Sequence, residues 1–338
     1  MLTRFGCKFV YCDPQTKYHW DGKRFLANND DAYTRKLALT HGPEIAAAFN
    51  ICPGMYSNSR KLGGICGVLN DLTLDRDVSR KMNSNTGLLG FEDGVLELET
   101  GLFRAARFDD FVSMSVGYDY PTQRDSANEE EVLQFFAQVH AQSPILEYFL
   151  GRLASCLEGG NVEGKGPFWT GASGANGKST FANLMGLVLG DYAGVLESSQ
   201  FTNNRSASSP NSQLISIMRC RFVVVEEPDT AGAAIFNWSH YKELTGGSKI
   251  QVRDIYKASK IQEPHFTPFF LFNSLPQGSE TIDKAVQRRM EMVPFRSEFV
   301  EILLSHQFPI DVSLQEIRRL EAARLQYFVP WLLPSIHC

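Results

Sequence analysis

The sequence predicts an α/β protein: a parallel sheet built around a phosphate-binding loop, preceded by a smaller mixed α/β region and a helical collar. Three observations carry this. The stretch "GPFWTGASGANGKSTFANLMGLVLG" runs from a short apolar strand through a glycine-rich loop into a helix. From Lys165 onward, short apolar runs alternate with helical ones, the pattern of a parallel sheet with crossover helices. Before that point the chain changes character and becomes rich in aromatic residues and turns.

Taken in order, residues 1–125 form the first region. "DAYTRKLALTHGPEIAAAFN" has helical spacing, and "GLLGFEDGVLELETGLFR" alternates apolar and polar residues around Asp93-Gly94 and Thr100-Gly101, which reads as short strands joined by tight turns. This region shows no catalytic constellation. "YPTQRDSANEE" has the composition of a linker. Residues 126–160 are the collar, with helical spacing interrupted near Ser143-Pro144. Residues 161–300 are the phosphate-binding domain, and residues 301–338 are a C-terminal tail in which "VSLQEIRRLEAARLQYFVPWLL" reads as an amphipathic helix. "SSQFTNNRSASSPNS" is expected to be a polar loop.

Composition excludes several classes. With 338 residues, 43% hydrophobic and 21% charged, the chain can bury a sizeable core. No apolar run approaches the ~20 residues that cross a bilayer, and the N-terminus lacks a signal-peptide pattern, so an intracellular location without membrane contact is expected. The seven cysteines are scattered without a CxxC pair, which points to reduced thiols rather than a disulfide framework or a zinc site. A formal net charge of −5 means that any grip on nucleic acid must come from a few focused cations.

In the glycine-rich loop, backbone N–H groups and a helix amino end would cradle phosphates. The loop residues are Gly171, Ala172, Ser173, Gly174, Ala175, Asn176, Gly177, Lys178, Ser179 and Thr180. Lys178 would reach the β- and γ-phosphates of ATP, and the Ser179 hydroxyl would ligate Mg²⁺. Ala172 stands where the strict pattern has glycine, with Gly171 beside it. "RFVVVEEPDT" ends an apolar strand in Glu226 and Glu227; one carboxylate would hold Mg²⁺ and the other polarise the attacking water. Between residues 241 and 276, "SKIQVRDIY" and "KIQEPHFTP" read as the arms of a β-hairpin presenting Lys257 and Lys260, with Arg253 nearby. "PFFLF" then leads to Asn273, whose amide could sense the γ-phosphate, and "DKAVQRRMEMVPF" offers Arg288 and Arg289 before a last apolar strand.

In this order the motifs resemble those of a superfamily 3 helicase, and more narrowly the primase-helicase family of poxviruses, other large DNA viruses and phages. "KMNSNTGLLGFEDGVLELETGLFR" resembles the domain that precedes the helicase in that family, so the likeness covers nearly the whole chain. The resemblance implies an AAA+-like P-loop NTPase core. It implies an ATP-dependent DNA helicase of viral or phage replication, working with Mg²⁺ as a homo-hexameric ring on single-stranded DNA. It makes Glu226 and Glu227 the Walker B pair, Asn273 sensor 1, Lys257 the DNA-contacting hairpin tip, and Arg288 or Arg289 the arginine finger given to a neighbour. It further implies a primase and a polymerase as partners, and a viral factory in the host cytoplasm, or the nucleus, as the site of action. Two departures stand out. Ser248 replaces the aspartate of the family's TGGD, and the primase domain that often precedes this unit does not precede it here, as expected of a helicase-only protein or a fragment. Two other classes stay open. A small-molecule kinase would need an arginine-bearing lid and no basic hairpin, and a non-catalytic DNA-binding scaffold could retain the fold.

Overall fold

The computed structural model describes residues 9–13, 16–48, 58–75, 77–123, 126–140, 143–171, 175–201, 211–226, 235–253, 259–278, 281–300 and 308–309. The chain divides into two compact units, the first comprising residues 1–85, 92–95 and 104–114, the second residues 86–91, 96–103 and 115–338.

In the first unit, β1 (Phe9–Asp13), β2 (Thr16–Trp20) and β3 (Phe25–Ala27) form an antiparallel sheet in that order. Asp21 closes the β2–β3 turn by accepting from the Lys23 and Arg24 N–H groups at 2.7 Å each. Three helices follow: α1 (Ala32–Ala48), α2 (Ser59–Leu72) and α3 (Val78–Lys81). The Asn58 side chain caps α2, accepting from the Arg60 and Lys61 N–H groups. Phe25, Val78 and Met82 form this unit's core, covered by Tyr18, Trp20, Phe108 and Phe111.

The alternating stretch forms the three short strands predicted for it, β4 (Leu88–Gly90), β5 (Val95–Glu97) and β6 (Leu102–Arg104), in one sheet. Two helices follow, α4 (Ser126–Val139) and α5 (Ser143–Glu158). The sequence break at Ser143-Pro144 is therefore a helix start, where proline's missing N–H costs nothing. Helix α4 begins inside the stretch whose composition reads as a linker. Acidic residues are favoured near a helix amino end as well as in linkers, so composition alone does not separate the two.

The remaining elements of the second unit build the main sheet: β7 (Gly166–Thr170), α6 (Lys178–Leu189), β8 (Ala193–Leu196), α7 (Ser212–Ile217), β9 (Phe222–Glu226), α8 (Trp238–Thr245), β10 (Ile250–Val252), β11 (Lys260–Gln262), β12 (Thr267–Phe272), α9 (Lys284–Gln287) and β13 (Met290–Pro294). The sheet order is β13-β7-β12-β9-β8, and every neighbouring pair is parallel. Strands β7, β9 and β12 are buried almost throughout, which is why they read as continuous apolar runs and not as alternating ones. Adjacent residues of β7 face opposite layers. Trp169 packs against Phe149, Phe181, Phe269 and Phe295, whereas Phe168 packs against Trp238, Tyr241, Phe270 and Phe272.

The polar stretch after β8 opens with a 3-10 turn, Ser198–Phe201, in which Phe201 is buried and stacks on Phe236. That aromatic anchor separates it from a simple polar loop; residues 202–210 lie outside the described residues, as does the expected C-terminal helix. Cys66, Cys156 and Cys220 are buried free thiols.

Candidate nucleotide site, hairpin and arginine edge

Parallel strands bring their carboxyl ends to one edge, where open α/β sheets bind ligands. Here β7 delivers Gly171 and β12 delivers Asn273, while β9 ends in Glu226. The register sets Glu226 beside Leu271, two residues before Asn273. Ala172, Ser173, Gly174 and Glu227 lie outside the described residues.

Two backbone devices turn the loop into α6. Ala175 and Gly177 both have left-handed φ, 55° and 89°. At Gly177 this is free of steric cost, while Ala175 accepts a cost of about 1–2 kcal/mol. Gly171 is glycine for room: a Cβ there would lie 2.8 Å from the Phe295 carbonyl oxygen and against the Asn176 amide. The first turn of α6 carries Lys178, buried, and Ser179 and Thr180, both exposed. Lys178 Nζ donates to the Gly171 carbonyl at 3.4 Å and to Asn273 Oδ1 at 3.3 Å. Asn176 is buried beside it, its Oδ1 accepting from the Lys178 N–H at 3.5 Å. Lys178 and Asn273, 95 positions apart, thus meet over the carboxyl edge, with Glu226 exposed one strand further along.

This donor set fits a phosphate-bound Mg²⁺. A hydroxyl at Ser179 and a carboxylate at Glu226 are hard oxygen donors. No group of three or more His, Cys, Asp or Glu among the described residues forms a dedicated cage. Mg²⁺ is commonly held by one or two such oxygens together with substrate phosphates and water.

Arg288 and Arg289 follow α9 and precede β13, whose first residue, Met290, is in register with Gly166 at the start of β7. They therefore occupy the amino edge of the sheet, opposite the phosphate loop. Arg288 is exposed, and no carboxylate among the described residues forms an ion pair with it. Arg289 is held in place. Its Nη1 donates to the Ala285 carbonyl at 2.8 Å, and its own carbonyl accepts from the Gly166 N–H and the Tyr241 hydroxyl, each at 2.8 Å. Burial pushes the Tyr241 hydroxyl pKa well up, keeping it a hydrogen-bond donor. Asp283 caps α9, accepting from the Val286 N–H at 2.7 Å and from Lys242 Nζ at 3.0 Å, and these contacts hold its carboxyl below the usual range.

The expected hairpin is present as β10 and β11, antiparallel with Gln251 opposite Ile261 and Val252 opposite Lys260. Ile250 and Val252 are buried, whereas Arg253, Lys260 and Ile261 are exposed. Lys257 lies outside the described residues. Ser248, in place of the family's aspartate, is exposed at the start of the first arm.

Comparisons with known proteins place this chain beside viral proteins. Residues 1–141 match the family described as D5 N terminal like, and residues 169–289 match Family of unknown function (DUF5906). The chain is 32% identical over 280 residues to "Putative helicase L207/L206" of Acanthamoeba polyphaga mimivirus, covering 81% of this chain and 28% of that protein. It is 28% identical over 330 residues to "Putative helicase 121R" of Invertebrate iridescent virus 3, covering 89% of this chain and 34% of that protein. The chain therefore spans about a third or less of the length of these curated relatives. In fold it is similar to the NrS-1 C terminal region, with a TM-score of 0.55 at 10% identity over 99% of this chain and 69% of that one. The match over residues 1–141 and the helicase-named viral relatives support a chain of the viral superfamily 3 primase-helicase type. The all-parallel sheet with the phosphate loop at its carboxyl edge is the P-loop NTPase core of that type.

Two features of this edge carry no local motif. Residues 295–299 run along the phosphate loop: the Phe295 N–H donates to the Thr170 carbonyl at 2.7 Å and the Phe299 N–H to the Ala175 carbonyl at 2.9 Å. Ser297 Oγ ties the same segment to the end of α4 through the Gln138 carbonyl at 2.6 Å. The signal was the change from "MVPF" to polar "RSE" just past the end of β13. The second feature is an ionic cluster around Arg152, in which the buried Arg152–Glu291 pair joins residues 139 positions apart and Glu163 lies toward solvent. Among the described residues no helix is long and apolar enough to cross a membrane.

Proposed function

We propose that this chain is the motor part of an ATP-dependent DNA helicase of viral DNA replication, acting as a homo-hexameric ring on single-stranded DNA. The observation that carries the reading is the meeting of Lys178 and Asn273 over the carboxyl edge, with Glu226 on the next strand. A catalytic lysine, a polar sensor and an acid converge where a nucleotide's phosphates would lie.

In this reading Lys178 gives up its bonds to the Gly171 carbonyl and Asn273 for the β- and γ-phosphates of ATP. The amides from Ala175 through Ser179 and the amino end of α6 hold the remaining phosphate charge. Mg²⁺, held by Ser179 and by Glu226 through water, would neutralise charge developing between the phosphates. Glu227 polarises the attacking water, and Asn273 orients it against the γ-phosphate. Arg288 serves the neighbouring subunit. It stands at the amino edge, and the five residues of β7 between it and the loop span roughly 15 Å. That is too far to reach its own site, and Arg288 is exposed while Arg289 is tied to Ala285. Each phosphate site is then complete only inside a ring, which couples hydrolysis to subunit motion. The hairpin, with Arg253 and Lys260 beside its turn and Lys257 between them in sequence, contacts single-stranded DNA. Six copies focus positive charge on a channel although each chain carries a net charge of −5. A primase and a polymerase are the natural partners, in the compartment where viral DNA is copied.

The test is ATP hydrolysis by Lys178→Ala. The expected result is loss of turnover to background with the fold intact by circular dichroism; undiminished turnover would overturn the phosphate-loop role.

A further inference from the structure

The Arg152 cluster is expensive as a stabilising device. Arg152 in α5 is nearly buried, and its Nη2 donates at 2.6 Å to both Glu163 and Glu291. Glu291, also buried, is the second residue of β13, and Lys165 Nζ approaches it at 3.8 Å. Burial alone would lower the Arg152 pKa, but the two carboxylates and the Tyr148 hydroxyl reverse that and hold the guanidinium charged. Arg152 Nε and Glu291 Oε2 have no hydrogen-bond partner among the described residues. Buried ion pairs seldom outperform apolar packing, least of all with polar atoms left over; in some proteins they serve instead to fix geometry.

The geometry fixed here is that of one strand. At its amino end β13 directly follows Arg288 and Arg289, and the Arg289 carbonyl is clamped by Gly166 and Tyr241. At its carboxyl end residues 295–299 are stitched to the phosphate loop at Thr170 and Ala175 and to α4 at Gln138. Five residues thus separate the arginine pair from the wall of this chain's own nucleotide site.

We infer that Arg152 and Glu291 are positioning residues that brace β13 against α5, so that Arg288 is presented to the neighbouring subunit in register with the state of this subunit's own phosphate loop. The inference rests on the ring-helicase reading. A shift of the phosphate loop pulls on residues 295–299 and is carried along β13 to its amino end, where the contact with α5 keeps Arg288 in a defined place. The brace acts on the neighbour's site rather than on this chain's own.

Mixed rings of the full chain separate the two. Glu291→Gln alone should bind a fluorescent ATP analogue as tightly as the unaltered chain while kcat falls roughly tenfold to a hundredfold, the usual cost of misplacing a catalytic group. The analogue's KM should barely move. Subunits carrying Lys178→Ala are inactive themselves but keep a sound arginine edge. Adding them to Glu291→Gln subunits should raise turnover per Glu291→Gln chain, because intact phosphate loops then face intact arginines. Turnover that only falls on mixing would place the defect in the variant's own site and overturn the inference. Should Glu291→Gln fold poorly, the pair Arg152→Met/Glu291→Met leaves no lone buried charge; full kcat in that folded variant would equally overturn it. The two readings fail separately. An unaltered chain without ATPase, or full activity in Arg288→Ala/Arg289→Ala, sinks the ring reading. Loss in the arginine variants with normal kcat in Glu291→Gln sinks the brace alone.

Discussion

Arg288 and Arg289 are neighbours in sequence with opposite structural duties. Arg289 donates to the Ala285 carbonyl and lies over Gly246, its Nη2 3.7 Å from where a Cβ would stand, whereas Arg288 points to solvent. Arg288→Ala should therefore lose about 10³-fold or more in kcat, as removal of an arginine finger does, with an unchanged thermal midpoint. Arg289→Ala should cost stability, about 1–3 kcal/mol for the buried carbonyl and packing it gives up. Thermal melts and steady-state ATPase on both variants check this; equal losses of kcat at equal stability would contradict it. The sequence alone could not choose between the two arginines, because the choice lies in which side chain the TGG glycine accommodates. Lys178, Glu226 and Asn273 were legible, since each ends a strand or begins a helix and local pattern marks such ends. The Arg152–Glu291 contact was not: its partners are 139 positions apart.

Among the elements, the buried strands β7, β9 and β12 were readable as apolar runs, and the hairpin as two alternating arms around a basic turn. The start of α4 was not, because polar and charged residues suit a linker and a helix amino end alike. The hairpin buries Ile250 and Val252 and leaves Arg253 and Lys260 outward, so its cations can change without loss of packing. Arg253→Ala and Lys260→Ala should each weaken single-strand binding and reduce the salt dependence of log K by about 0.7 per lost phosphate contact. Nucleotide affinity should stay within about twofold. Binding titrations between low and moderate salt check this. An unaltered salt slope would remove these side chains from the DNA path.

The whole molecule carries a pH liability in two buried histidines. Burial lowers the pKa of His140 to about 4, and burial together with the charges of Arg219 and Arg221 lowers that of His265 to about 4. Both are neutral when folded, whereas in the unfolded chain they gain a proton near pH 6.5. Their contribution is thus fully present above about pH 6.5 and is lost progressively as pH falls toward 4. The urea midpoint at pH 5 should lie below that at pH 7.5, and His140→Gln/His265→Gln should flatten this part of the profile. Equal midpoints for the unaltered chain would contradict the burial argument.

At the scale of the whole molecule, the proposed function has the nucleotide site at Lys178, Asn273 and Glu226 drive a ring along single-stranded DNA. It is tested most directly by measuring ATP turnover with and without single-stranded DNA on particles whose mass is determined by light scattering in the same buffer. The expected result is a six-chain particle whose turnover rises on adding the strand and is lost in Arg288→Ala. A monomer hydrolysing ATP at the same rate with or without DNA would contradict it.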